Sequence, residues 1–184
     1  MRAAILMLLV GCSDDIATIN SGEVITTVVL TFTPTSGPEV VVLANDPDGD
    51  GGEAPTIDPI MLAPDTYALA VGFQNRLEDP PEEITEEVAD EGDDHQVFFT
   101  GSAASGPLMH EYVDFDRNGL PIGLQNRVVA VPGTGMLTLT LRHMPPINDM
   151  AVKTGQLADQ ARAMGTASLP GESDAVVTFP ASVQ

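Results

Sequence analysis

Two short loops carry alternating carboxylates followed by a glycine, an arrangement that suits calcium. The candidate ligands are Asp46, Asp48 and Asp50 in the first loop and Asp114, Asp116 and Asn118 in the second. Both loops match D-x-[DN]-x-[DN]-G, the front half of a calcium loop. The twelfth position, normally a glutamate, is Ile57 in the first loop and Gln125 in the second. We therefore expect weak, structural calcium sites with dissociation constants of about 10⁻⁴–10⁻³ M, and the alternative is that each loop is a plain turn.

Two histidines offer a second chemistry, the binding of zinc or copper. His143 ends the alternating segment 136–143, on the face of its leucines, and His95 begins the segment 95–99, with the same parity as Val97 and Phe99. If these two segments are neighbouring strands, the imidazoles meet at one rim of the fold, with Glu91, Asp93 or Asp94 nearby. Imidazole nitrogens are ligands that zinc and copper prefer. The alternative is that both histidines are hydrogen-bonded rim residues without a metal.

Known catalytic motifs are missing from the sequence. Neither G-x-S-x-G, nor H-E-x-x-H, nor a phosphate-binding loop occurs. A glycosidase needs two carboxylates that face a cleft, and carboxylates are plentiful here. However, aromatic residues make up 4% of the chain and tryptophan is absent, so few side chains could stack against a sugar ring. We expect no enzyme, and an enzyme acting on envelope carbohydrate is the least favoured alternative.

The elements that position these residues are predicted to be β-strands. Apolar and polar residues alternate, between stretches rich in Gly, Pro and Asp, in 24–33, 66–73, 136–143 and 175–179. Short apolar runs in 40–43, 97–99 and 128–131 predict further strands. The alternation is typical of half-buried antiparallel strands. It predicts an all-β fold, an antiparallel β-sandwich of immunoglobulin or transthyretin type.

Three segments interrupt the strand pattern. Residues 78–94 are strongly acidic, and the apolar Ile84 and Val88, four residues apart, predict a short acidic helix; a solvated acidic face is the alternative. Residues 101–107 are small and predict a loop. Residues 145–171 predict a long excursion that is partly helical from Gln156 to Met164. The prediction is therefore a sandwich with a short acidic helix and long loops.

Length and charge restrict the class of protein. The 184 residues suffice for one domain, and the formal net charge is -20, from 27 acidic and 7 basic residues. Such a surface repels nucleic acid and acidic headgroups and attracts cations. We therefore expect no nucleic-acid partner.

The beginning of the chain resembles the signal of bacterial lipoproteins. An apolar run behind Arg2 ends in Leu9-Val10-Gly11-Cys12, which is similar to a lipobox, and the sequence then turns polar. This resemblance implies a signal peptide over residues 1–11 and a lipidated Cys12 as the mature N-terminus. A tether (12–21) and a single sandwich domain (22–184) follow. A buried strand or helix of a cytosolic protein is the alternative. With Cys12, the chain's only cysteine, lipidated, no disulfide can form.

A broader resemblance concerns most of the chain. The stretches 82–99, 23–27, 46–52 and 171–184 are similar to a group of small bacterial envelope lipoproteins, some of them labelled type 1 periplasmic-binding-like. The strand pattern does not support that label, because such a fold alternates strands and helices. In these similar sequences the surroundings of His95 and His143 recur, which favours a paired-histidine site. The resemblance, with the acidic Ser13-Asp14-Asp15, implies a cell-envelope protein at the outer membrane, on its periplasmic or surface face.

These observations together predict a lipid-anchored, acidic binding or structural module whose loops are stabilised by calcium. Its expected partners are the membrane, through the lipid anchor, and an outer-membrane protein. The alternative is a lipoprotein that captures zinc or copper beside an outer-membrane transporter. The two predictions differ in metal, because oxygen ligands select calcium and imidazoles select zinc or copper.

Overall fold

Two stacked β-sheets form the part of the chain that the structure, a computed structural model, describes: residues 24–49 and 51–184. The predicted signal peptide, the tether with Cys12, and the calcium-ligand candidate Asp50 lie outside these residues. Among the described residues, no helix is both long enough and apolar enough to cross a bilayer.

The strands follow one another along most of the chain. In order they are β1 (Thr27–Pro34), β2 (Val40–Asn45), β3 (Thr56–Ile57), β4 (Ile60–Leu62), β5 (Asp65–Asn75), β6 (Glu82–Glu83), β7 (His95–Thr100), β8 (Leu108–Tyr112), β9 (Gln125–Ala130), β10 (Gly133–His143) and β11 (Glu172–Val183). The first sheet has the order β3-β2-β1-β5-β9-β8, with β6 paired to β5, and the second has the order β4-β11-β10-β7. Neighbours are antiparallel except β4 and β11, which are parallel. The predicted all-β sandwich is confirmed.

Alternating side chains build the core between the two sheets. In β1, Val28, Leu30 and Phe32 are buried, whereas the intervening residues are more exposed. The second sheet contributes buried residues such as Leu139 and Phe179 to the same apolar cluster. Period-two alternation therefore marks the inward faces, as the sequence predicts.

The helices are short and lie outside the sheets: α1 (Thr85–Asp90), α2 (Gly101–Ala104) and α3 (Leu157–Met164). The acidic helix is confirmed as α1, and its apolar stripe, Ile84 and Val88, is buried. The prediction of a loop over residues 101–107 is wrong for its first four residues, which form α2. Gly101 begins this helix with φ +89°, and a Cβ there would lie 2.4 Å from the carbonyl oxygen of Met136. The close approach of two backbones therefore explains the glycine.

Candidate metal centre

The structure brings His95 and His143 together at one end of the second sheet. β7 begins at His95 and β10 ends at His143, and the two residues are direct cross-strand partners. Their rings are stacked, with centroids 4.6 Å apart and planes 11° apart. Both share a face with buried Val97 and Leu141, which is the inner face of the sheet. His95 is completely buried, whereas His143 is partly exposed.

An acidic side chain joins the pair from the turn between α1 and β7. Glu91 follows the last residue of α1, and its carbonyl accepts the backbone N–H of His95 at 3.1 Å. Oε2 of Glu91 lies 3.9 Å from Nδ1 of His95. One ligand atom from each of Glu91, His95 and His143 lies within 4.8 Å of the others. Of the three acids that the sequence placed near the histidines, Glu91 is therefore the one that completes a group of ligands.

The other two acids of this turn have different structural roles. The carboxylate of Asp93 forms an ion pair with Arg117, a residue of the second predicted calcium loop. The backbone carbonyl of Asp94 accepts the N–H of Met144, which follows β10, at 2.6 Å. Both contacts hold the turn against the end of β10 and the neighbouring loop.

Burial controls the ionisation of His95. Desolvation and, to a lesser extent, the neighbouring His143 lower the pKa of His95 below its usual value of 6.5. A hydrogen bond to the Glu91 carbonyl and the charges of Glu91 and Asp94 oppose this shift without cancelling it. The ring is therefore neutral near pH 7, the form that binds a metal ion.

A second carboxylate, Asp174, approaches His95 from the opposite side. The register of β11 against β10 shifts here: Ala175 pairs with Leu141 but Ser173 pairs with Arg142, so Asp174 is one extra residue. Such a bulge redirects side chains. Oδ2 of Asp174 lies 3.8 Å from Nε2 of His95, and the Asp174 side chain is only 6% exposed. The alternation pattern gives no signal for this approach, because the bulge changes the face of the residue.

The first predicted calcium loop folds around its own backbone. Oδ1 of Asp46 accepts the N–H groups of Asp48 and Gly49 at 3.3 and 3.1 Å. Oδ2 of Asp48 accepts the N–H of Glu53 at 2.7 Å. Oδ1 of Asp48 is buried and has no hydrogen-bond partner among the described residues. The loop thus combines a hydrogen-bonded turn with one carboxylate oxygen that a cation could satisfy.

The carboxylates of the second predicted calcium loop are bonded to backbone N–H groups and to a lysine. Asp114 accepts the N–H groups of Gly123 and Leu124, at 2.9 and 2.8 Å. Oδ2 of Asp116 lies 2.9 Å from the ammonium nitrogen of Lys153. Asn118, the third candidate ligand, is exposed. A lysine from the distant segment before α3 thus supplies the positive charge at this loop.

A groove of about 370 Å³ crosses the first sheet beside Tyr67 and Arg127. The other described residues that line it are Thr33, Pro34, Thr35, Thr66, Ala68, Val113 and Asn126. None of these lining residues is a carboxylate, so the groove lacks the paired acids of a glycosidase.

Comparisons with known proteins give no functional lead. The chain matches no protein-family model, no curated protein and no solved structure.

Proposed function

We propose that this chain binds a transition-metal ion, zinc or copper, at His95 and His143 with an acidic partner. The observation that carries the proposal is the stacked pair of His95 and His143, with a carboxylate oxygen within 4 Å of each ring nitrogen of His95. A tetrahedral zinc ion holds ligand atoms about 3.4 Å apart. The ligand atoms of Glu91, His95 and His143 lie within 4.8 Å of one another, so a pair of them would have to close by up to about 1.4 Å. Two imidazoles favour zinc or copper over calcium.

Binding requires one ring to move. The lone pair of an imidazole nitrogen lies in the plane of its ring, and the two ring planes here are only 11° apart in a stack. Parallel stacked rings cannot both direct a lone pair at one ion. His95 is completely buried, whereas His143 is partly exposed at the end of its strand. His143 is therefore the ring that turns when the metal binds.

Charge and the N-terminal sequence support a role in the cell envelope. The net charge of -20 raises the local concentration of cations around the protein. The lipobox-like run ending in Cys12 supports a lipid anchor at the outer membrane. Our proposal is therefore a lipid-anchored protein that captures zinc or copper beside an outer-membrane transporter.

Isothermal titration of the untagged protein with zinc or copper tests the metal proposal. We expect one equivalent to bind to the wild type and to His110→Ala, which removes the histidine outside the site. We expect no comparable binding to His143→Ala or His95→Ala, with thermal unfolding used to show that each variant is folded. Equal affinity in all four proteins would refute the proposal.

Calcium at the first loop is a second proposal, supported by the buried Oδ1 of Asp48. It would brace the loop after β2 in a domain without disulfides. We expect millimolar calcium to raise the melting temperature of the wild type but not of Asp48→Asn. The same rise in melting temperature in both proteins, or no rise in either, would refute calcium binding at this loop. We do not extend this proposal to the second loop, where Lys153 supplies the cation.

A further inference from the structure

His95 lies between two carboxylates, one on each ring nitrogen. Oε2 of Glu91 is 3.9 Å from Nδ1, and Oδ2 of Asp174 is 3.8 Å from Nε2. Both separations exceed a hydrogen bond, and both are close to the spacing of about 3.4 Å between two ligands of one tetrahedral ion. Only one ring nitrogen of a neutral histidine carries a lone pair, so the tautomer decides which carboxylate shares a metal with His95.

The backbone of the turn selects that tautomer. Nδ1 of His95 lies 3.3 Å from the carbonyl oxygen of Glu91 in hydrogen-bonding geometry. A carbonyl oxygen can only accept, so Nδ1 must carry the proton and donate it. The lone pair of the neutral ring is then on Nε2, the nitrogen on the Asp174 side. Metal-binding histidines are commonly held in this way, with Nδ1–H donated to a backbone carbonyl.

Asp174 is also the better-fixed of the two acids. Its side chain is 6% exposed, whereas that of Glu91 is 52% exposed. An exposed glutamate loses more conformational freedom on binding a metal than a buried aspartate does. The β-bulge fixes the backbone of Asp174, so its carboxylate is positioned before any ion arrives.

The cation of Arg142 lies beside this buried acid. The guanidinium of Arg142, on the next strand, is close enough for its charge and that of Asp174 to stabilise each other. Arg142 is fixed in turn by hydrogen bonds to the carbonyl groups of Pro170 and Leu169, at 3.1 and 2.8 Å, and to Oγ of Ser173 at 3.1 Å.

We infer that Asp174 is the acidic ligand of the proposed centre, which then consists of Nε2 of His95, a carboxylate oxygen of Asp174 and a ring nitrogen of His143. Among the described residues Asp174 is not part of the group whose ligand atoms already lie within 4.8 Å of one another, so the His143 ring must turn towards it for this centre to form. Glu91 acts through its backbone carbonyl and is a positioning residue. This inference rests on the proposed function and assigns its donor set. Two nitrogens and one oxygen, with one position left for water or a partner's ligand, suit zinc.

Zinc affinity in matched variants tests the assignment. Asp174→Asn, Glu91→Gln and Glu87→Gln each remove one negative charge, and Glu87 is an exposed residue of α1 that serves as the control. We expect Asp174→Asn to weaken zinc binding at least about 30-fold. Mutation of residues that only support metal ligands already lowers metal affinity by about 10- to 100-fold. We expect Glu91→Gln and Glu87→Gln to change the zinc affinity less than about 3-fold, because a charge that does not contact the ion acts only through screened electrostatics.

Two outcomes are distinguished by this design. If zinc binding requires both histidines but Asp174→Asn binds like the wild type, or Glu91→Gln loses as much affinity as Asp174→Asn, the assignment of Asp174 is wrong and the metal proposal stands. If zinc binding does not depend on the histidines, the metal proposal itself fails.

A measurement on the wild-type protein avoids any effect of substitution on folding. Ring ¹⁵N chemical shifts of His95 report which nitrogen is coordinated when zinc is added. We expect the zinc-dependent shift on Nε2, with the proton retained on Nδ1. Coordination through Nδ1 would overturn the assignment.

Discussion

Lys153 and Asp116 form a buried ion pair that ties three loops together. The ammonium nitrogen of Lys153 lies 2.9 Å from Oδ2 of Asp116, and both side chains are 1% exposed. The same ammonium donates a hydrogen bond of 2.6 Å to the carbonyl of Gly92, one residue after Glu91. Oδ1 of Asp116 accepts the N–H groups of Asn118 and Leu120 at 2.8 and 2.9 Å. The pair thus holds the turn beside His95 against the loop after β8.

Removal of the lysine charge is the first prediction. Burial is the largest influence on Lys153 and lowers its pKa, and the neighbouring Asp116 opposes that shift. In Lys153→Met the side-chain volume is similar, but Asp116 keeps a buried charge without its cation. We expect unfolding in urea to show a loss of about 3 kcal/mol.

An exposed ion pair is the control for this experiment. The side chains of Arg127 and Glu111 are 52% and 74% exposed, with N···O at 3.3 Å. Arg127→Met should therefore cost less than about 1 kcal/mol. Equal losses in Lys153→Met and Arg127→Met would show that the buried pair contributes no more than a surface contact.

The second prediction concerns acid pH and His110. Burial, followed by the charge of Arg162, lowers the pKa of His110 to about 4. The ring packs on Phe99 with centroids 4.5 Å apart. In the unfolded chain the pKa is about 6.5, so between pH 6.5 and pH 4 the unfolded state binds more protons, and the stability falls as the pH falls.

A glutamine at this position removes the titration and keeps a hydrogen-bond acceptor for Arg162, which lies 3.4 Å from Nε2 of His110. Between pH 7 and pH 4, the wild type should lose roughly 2–3 kcal/mol more stability than His110→Gln. The measurement is urea unfolding of both proteins at the two pH values. Parallel losses in the two proteins would contradict a depressed pKa at His110.

The third prediction compares two glycines with the same φ angle. Gly165 and Gly171 both have φ +78°, but a Cβ on Gly165 meets nothing within 4 Å, whereas a Cβ on Gly171 lies 2.0 Å from the carbonyl oxygen of His143. Gly165 has ψ 171° as well, a conformation that is almost exclusive to glycine, so Gly165→Ala should cost about 1–3 kcal/mol from backbone strain. Gly171→Ala should cost at least about 2 kcal/mol more, because the end of β10 must shift.

Chemical denaturation of the two alanine variants measures this difference. The Gly171→Ala variant should also show altered chemical shifts for the His143 ring, since its own backbone is displaced. If the two variants are equally stable, the close approach between Gly171 and His143 is not present in solution.

The fourth prediction is that zinc stabilises the fold. A ligand that binds only the native state at 100 times its dissociation constant adds about 2.7 kcal/mol. For a domain of this size we expect the melting temperature to rise by roughly 5–10 °C and to return when the metal is chelated. His143→Ala should not respond. A rise of the same size in that variant would show that zinc acts elsewhere.

The strands and the histidine pair could be predicted from local sequence. Alternation identifies the long strands β1, β5, β10 and β11, because each buries one apolar face. The same parity places His95 and His143 on one face, and antiparallel pairing of β7 with β10 makes them partners. β8 has no clear alternation signal, because the partly buried His110 interrupts its apolar residues.

Contacts between distant segments could not be predicted in this way. Lys153 lies in a stretch without periodicity, and it is 37 residues away from Asp116. The position of Asp174 beside His95 depends on a change of register in β11, and no residue type in that strand predicts such a change. Both contacts arise from tertiary packing, and a single sequence carries no local signal for them.

The extra residue in β11 determines on which face of the sheet Asp174 lies. Removal of Ser173 would restore regular pairing and place Asp174 opposite Arg142, on the face that points away from His143. Such a chain would keep both imidazoles and the aspartate yet separate them across the sheet. Spacing along β11, rather than the identity of its residues, is therefore the feature by which other sequences able to form the proposed centre should be recognised.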